Sequence, residues 1–181
     1  MTKRRVALLA VTALAIVVVD QVTKAMVRSS FEIGESHPVV PGLLWLTRVH
    51  NTGAAFGMFR GQQWFLIAVA VIVLCVIAWT AVRVKPESAI ARLALAMIAA
   101  GALGNLIDRV VLGGVTDFFD LGWFPVFNVA DMSLDVGVAL LVWWLLLSPE
   151  HRHSRATAAD VDAVADNETD GGAIADGEPT L

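Results

Sequence analysis

The chain has 181 residues, of which 57% are hydrophobic and only 17% charged, and it carries a formal net charge of −4. Soluble domains of this size carry about 25% charged residues, so the composition argues against an ordinary soluble enzyme. The single cysteine, Cys75, excludes an intramolecular disulfide, a CxxC redox pair and a cysteine-rich zinc site, and the four histidines form no HExxH motif.

The first apolar span runs over about residues 6–27. Lys3-Arg4-Arg5 followed by the uncharged run Val6 to Val19 has the look of a secretory signal peptide. It continues as Asp20-Gln21-Val22-Thr23-Lys24, without a small-x-small cleavage site, so the segment reads as an uncleaved helix. The long connection Arg28–Gln63 follows, and within it residues 39–59 read as short strands and turns. A second apolar span covers 64–82, and a third covers 89–107 and contains Gly101-Ala102-Leu103-Gly104, small residues that let neighbouring helices approach closely. The connection Asp108–Val126 leads to a fourth span over 127–147. Each span has about 20 residues, enough to cross a hydrocarbon core of roughly 30 Å as a helix.

Charge position is more informative than net charge. The last 26 residues hold seven of the seventeen acids and no Lys or Arg, whereas residues 1–155 carry 13 basic against 10 acidic side chains. Lys3, Arg4, Arg5, Arg83, Lys85, Arg92, Arg152 and Arg155 all fall on one side of a chain that crosses four times, which marks that side as cytoplasmic. Trp64, Trp79, Trp143 and Trp144 suit interfacial belts. The expected fold is an all-α polytopic membrane protein with four transmembrane helices, a small extracytoplasmic β-like cradle and a disordered acidic C-terminal tail. Residues 1–150 form the membrane domain and residues 151–181 the cytoplasmic tail, with both termini in the cytoplasm.

Ionisable groups at membrane depth are costly and rare, so each is a functional candidate. Asp20 and Lys24, spaced i,i+4, read as a structural ion pair. Asn105 and Asp108, with Arg109 adjacent, read as a hydrogen-bonded network at the outer end of the third helix. Asn128, Asp131 and Asp135 stack on one face of the fourth helix. Asp117 sits among Val115, Phe118 and Phe119, in a segment expected to lie against the membrane with its carboxylate over the helix ends. Two carboxylates brought together in a low-dielectric site cannot both ionise cheaply. One keeps its proton, and the pair can then activate a water while protonating a leaving group. This is aspartic-protease chemistry, and it needs no cofactor. Asp108, Asp117, Asp131 and Asp135 are all eligible for the pair.

Five blocks together resemble the lipoprotein signal peptidases (signal peptidase II). They are Asp20-Gln21-Val22-Thr23-Lys24, Asn51-Thr52-Gly53-Ala54-Ala55-Phe56-Gly57, Gly101 to Arg109, Val115-Thr116-Asp117-Phe118 and Phe127-Asn128-Val129-Ala130-Asp131. Their order and spacing match the family over about residues 6–147, with the acidic tail outside its pattern and a rather short loop between Asp117 and Asp131. The resemblance implies a bacterial intramembrane aspartic endopeptidase that cleaves prolipoproteins on the amino side of their diacylglyceryl-modified cysteine. It places the catalytic pair on Asp117 and Asp131. Supporting or substrate-binding residues fall on Asp20, Lys24, Asn51, Asn105, Asp108, Arg109 and Asn128, and Gly53 to Phe56 would form an apolar cradle over the site. It implies no cofactor, no metal and no nucleic acid. The partners are lipid-modified precursors and membrane lipid, the working unit is a monomer in the cytoplasmic (inner) membrane, and the site faces outward.

Three other readings compete. A proton-coupled transporter would spread polar residues through the full depth of the bundle, whereas here they gather toward the outer ends and the second span has almost none. A Ser–Lys peptidase would need a nucleophile motif, and Ser29, Ser30 and Ser133 lie in none. A non-catalytic four-helix scaffold would have no use for paired aspartates.

Overall fold

The computed structural model describes residues 3–53, 58–59, 61–83 and 88–147. The expected tail over 151–181 and most of the expected cradle, residues 54–56, lie outside the described residues. The chain divides into two compact units, Met1–Leu141 and Val142–Leu181. Of the second unit only the end of one helix is described, and its Trp143, Leu145, Leu146 and Leu147 are exposed.

The described residues form four helices: α1 (Lys3–Ser30), α2 (Gln63–Arg83), α3 (Ala89–Leu112) and α4 (Val129–Leu147). All four are long and apolar enough to cross a membrane. Their exposed surface is largely aliphatic, as a lipid environment requires, with Leu8, Leu14, Met26, Ile72, Val82 and Val111 all more than 60% exposed. The helices lie close to the expected spans, and the differences have local causes. α1 and α3 run further than expected, to Ser30 and Leu112. A helix can project from the hydrocarbon into the polar surface without losing its own backbone bonds, so hydropathy marks the span and not the helix. α3 stops where Gly113 adopts a left-handed conformation (φ 79°) and donates its N–H to the Arg109 carbonyl at 3.2 Å. Asp108 and Arg109 therefore lie in the last turns of α3 and not in a connection. α4 begins two residues later than expected because Phe127 is held in extended pairing with Phe119, by N···O contacts of 2.8 and 3.0 Å.

α3 is the central helix. It packs on α1 and α2, and more than half of its membrane-length window is buried, whereas α2 buries no residue. Glycine decides how closely its neighbours come. A Cβ at Gly101 would overlap the Ala130 carbonyl, and one at Gly104 would lie 2.6 Å from Asp20 Oδ2 and 3.1 Å from Ala130 Cβ. Gly104 thus opens the space through which α1 passes a carboxylate toward the start of α4. The Gly101–Gly104 run packs helices, as its small side chains suggest.

The described residues also form three strands: β1 (Ser36–Val40), β2 (Leu44–Asn51) and β3 (Val115–Asp120). They form an antiparallel sheet in the order β1-β2-β3. β2 and the end of β1 fall in the stretch 39–59 expected to hold strands and turns, while β1 begins three residues before it; β3 occupies the second connection, where no strand was expected. The β2–β3 register pairs Val49 with Asp117, His50 with Thr116 and Asn51 with Val115. Arg48 fastens this sheet to α1 by donating to the carbonyls of Arg28 (3.1 Å) and Phe31 (2.5 Å) at the helix C-terminus.

Candidate active site

Five elements converge on one polar cluster: the second half of α1, the end of β2, the end of α3, β3 and the start of α4. In α1, Asp20 and Lys24 are fully buried and pair at 2.9 Å. The ion pair expected from their i,i+4 spacing is present, and it does not stand alone. Lys24 Nζ also donates to Asn105 Oδ1 at 2.9 Å and lies 3.5 Å from Asp108 Oδ2. Asp20 Oδ1 accepts the Ala130 N–H at 2.9 Å, satisfying a backbone donor in the first turn of α4. Asp108 accepts the Thr116 N–H at 2.9 Å and so fixes the start of β3. A buried charge this well surrounded is tolerable; one stripped of its partners is not.

The second tier holds two further carboxyl groups. Asp117 lies on β3 and is only 2% exposed. Its Oδ2 accepts from Asn51 Nδ2 at 2.9 Å, and its Oδ1 from Asn128 Nδ2 at 2.6 Å. Burial above all, together with the nearby Asp131 carboxylate, raises the Asp117 pKa to about 7, against the opposing hydrogen bonds from Asn51 and Asn128. Asp131 lies in the first turn of α4. Its Oδ1 accepts from Asn105 Nδ2 at 2.7 Å and its Oδ2 from the Asn128 N–H at 3.1 Å.

Asn128 connects the two. It is the N-cap of α4, its Oδ1 accepting the Asp131 N–H at 2.9 Å, while Asp131 returns a carboxylate oxygen to the Asn128 N–H. This is a capping box with Asn and Asp in the usual Ser/Thr and Glu positions. The same Asn128 side chain donates to Asp117, and at 3.2 Å to Asn105 Oδ1. The expected stacking of Asn128, Asp131 and Asp135 on one helical face therefore needs revision: Asn128 precedes the helix as its cap.

A cavity of about 150 Å³ lies against this tier, lined by Asn51, Asn105, Arg109, Asp117, Asp131, Asp135, Val115 and the stretch Phe124–Phe127. Of the four aspartates eligible for a pair, Asp117 and Asp131 share both the cavity and the Asn128 bridge. Asp108 is committed to Lys24 and Thr116, and Asp135 is exposed. Arg109 lines the cavity and donates to the Gly53 carbonyl at 3.4 Å. Among the described residues no group of three His, Cys, Asp or Glu side chains is placed to hold a metal ion. The arrangement puts two carboxyl groups on one cavity walled by aromatic and aliphatic side chains, a setting in which two such groups cannot both ionise cheaply.

The family model for Signal peptidase (SPase) II matches residues 12–147. The chain belongs to the signal peptidase II family. It is 44% identical over 135 residues to the lipoprotein signal peptidase of Moorella thermoacetica, covering 75% of this chain and 90% of that one. It is 40% identical over 138 residues to that of Shouchella clausii, covering 76% and 91%. Two bacterial membrane enzyme structures obtained by the in meso method are 36% identical to it, with TM-scores of 0.75 and 0.73 over 77% and 78% of this chain and 88% and 94% of theirs. Signal peptidase II is an aspartic peptidase family, so this multi-pass membrane protein is a peptidase.

Sequence reasoning missed several contributors to this signal peptidase II fold. Gln21 donates to Asp20, Asp108 and the Gly104 carbonyl at 3.1–3.2 Å, tying α1 to α3. Arg28, read only as the first residue of the connection Arg28–Gln63, reaches Thr116 at 3.2 Å and lies 3.8 Å from Asp108. Gln63 donates to the Arg109 carbonyl at 2.6 Å from the first residue of α2. Gln21 was legible as a polar neighbour of Asp20 in an apolar helix. Gln63 had no signal, because only the fold brings α2 to the end of α3.

Proposed function

We propose that this chain removes signal peptides from bacterial prolipoproteins, with Asp117 and Asp131 as the catalytic pair, and that it cuts on the amino side of the diacylglyceryl-modified cysteine. The observation that carries the assignment is the pair itself: two carboxyl groups on one cavity, bridged by Asn128 and served by separate amide donors. One proton is shared between them. Asp131 takes a proton from the attacking water, and Asp117, whose pKa of about 7 keeps it partly protonated at neutral pH, passes one to the leaving nitrogen. Asn51, Asn105 and Asn128 orient the two carboxyl groups. Lys24 anchors the Asn105 amide, Asp20 and Asp108 hold Lys24 in place, and Arg109 lines the site.

The substrate carries two acyl chains, and the exposed aliphatic helix faces suit its sideways entry from the bilayer. The chain acts as a monomer in the cytoplasmic (inner) membrane, with its termini in the cytoplasm and the sheet and cavity toward the outer face; the basic residues that flank the spans support this orientation. The membrane domain ends near residue 150 and the acidic tail is dispensable. A proton-coupled transporter is not favoured. Purified protein incubated with a diacylglyceryl-modified precursor peptide tests the assignment: wild type cleaves it and Asp117→Asn does not. Full cleavage by that variant would remove Asp117 from the pair.

A further inference from the structure

One carboxyl group on the cavity is not used by the machinery described above. Asp135 lines the same cavity as Asp117 and Asp131, yet it is exposed and makes no hydrogen bond or ion pair with any described residue. The other acids of this region are held differently: Asp20, Asp108, Asp117 and Asp131 each accept from at least two donors. Asp135 follows Asp131 by four residues on α4, so it lies on the same face about 6 Å further along the helix. An unpaired carboxylate in a membrane-spanning helix is costly, and nothing in the packing of α4 requires one there.

The chemistry of the reaction supplies a partner. Hydrolysis of the bond before the modified cysteine consumes one water. The C–N bond breaks, the carbonyl carbon gains the water oxygen and leaves as a carboxylate, and the nitrogen gains two hydrogens to become an α-ammonium group. A site that bound a neutral amide thus finishes with a cation beside its cavity. Asp117 and Asp131 already accept amide donors on both oxygens. Arg109, also on the cavity, can only repel the new charge.

We propose that Asp135 receives the α-ammonium group freed by cleavage and so determines how tightly the lipid-modified product is held. The inference rests on the proposed cleavage on the amino side of the cysteine. Asp135 is a product-binding residue placed one turn from Asp131 on the same cavity.

The test uses the full chain in detergent micelles at about pH 6.5, where an α-amino group with a pKa near 7.7–8.0 is protonated. The probes are two peptides that begin at a diacylglyceryl-modified cysteine, one with a free α-amine and one N-acetylated. Wild type binds the free amine about tenfold more tightly than the acetylated peptide. In Asp135→Asn the two Kd values converge to within about twofold, and Asp135→Glu restores part of the preference. Equal Kd values in wild type would overturn the proposal. So would a preference that survives Asp135→Asn, because the ammonium would then be held by Asp117 and Asp131. Cleavage of the precursor by wild type is measured alongside. If that fails, the proposed function itself falls; if it succeeds and the Kd ratio is unchanged by Asp135→Asn, only the role of Asp135 does.

Discussion

Replacing Asn128 separates its two tasks, capping α4 and holding Asp117. The side chain is fully buried; its oxygen accepts the Asp131 N–H at 2.9 Å and its amide nitrogen donates to Asp117 at 2.6 Å. Asn128→Ala removes both. Loss of the cap costs about 1 kcal/mol. Loss of a buried hydrogen bond to an ionisable carboxyl group costs about 1.5–3 kcal/mol. The expected destabilisation is therefore about 2.5–4 kcal/mol, a large share of typical stability. Losing the Asp117 contact in the transition state would lower kcat by about 100-fold. Asn128→Ser keeps an N-cap oxygen but is too short to reach Asp117. It should regain about 1 kcal/mol of stability over Asn128→Ala while recovering little kcat. Thermal unfolding in detergent gives the first quantity, and cleavage of a lipid-modified precursor gives the second. If Asn128→Ser restores wild-type kcat, Asn128 matters only as a cap, and the reasoning that links it to the reacting pair is refuted.

Five further outcomes are expected. Cleavage should decline above about pH 7, close to tenfold per pH unit, as Asp117 loses the proton it gives to the leaving nitrogen; a pH–rate profile flat to pH 9 would contradict this role. The raised Asp117 pKa also makes the folded state lose stability as the pH rises from about 4 through 7, by about 4 kcal/mol, a loss absent in Asp117→Asn and measurable as thermal midpoint against pH. Lys24→Met leaves Asp20 buried without its cation and Asp108 with only the more distant Arg28, and should cost about 3–5 kcal/mol, seen as a lower thermal midpoint and poor accumulation of folded protein in the membrane. Gly104→Ala pushes a methyl group against Asp20 and Ala130 and should cost about 1–3 kcal/mol, whereas Cys75→Ser, at an exposed position on α2, should leave both unfolding and cleavage at wild-type levels.

Legibility in the sequence followed the length scale of each signal. Twenty-residue apolar runs announced the four helices, because a hydrocarbon core admits little else. The Asp20–Lys24 pair was legible because one helical turn brings the two together regardless of the fold. β3 was not: Val115 to Asp120 carries charge at both Asp117 and Asp120, and it becomes a strand only because β2 lies beside it and the Gly113 turn aims the chain there. The N-cap role of Asn128 was hidden for a related reason. Phe127 looks like the start of an apolar helix until its backbone bonds to Phe119 hold it extended. The choice among four aspartates could not be made by spacing, since Asp108 is consumed by Lys24 and Thr116 through contacts between α1, α3 and β3. Only the resemblance to a known family singled out Asp117 and Asp131 beforehand.

The central claim is that a precursor is cut immediately before its lipid-modified cysteine by chemistry that requires Asp131. Mass spectrometry of a diacylglyceryl-modified precursor after incubation with purified protein tests it most directly. Wild type should give one new product whose N-terminus is the modified cysteine, and folded, inserted Asp131→Asn should leave the precursor intact. The same product from Asp131→Asn, or a wild-type product beginning at any other residue, would contradict it.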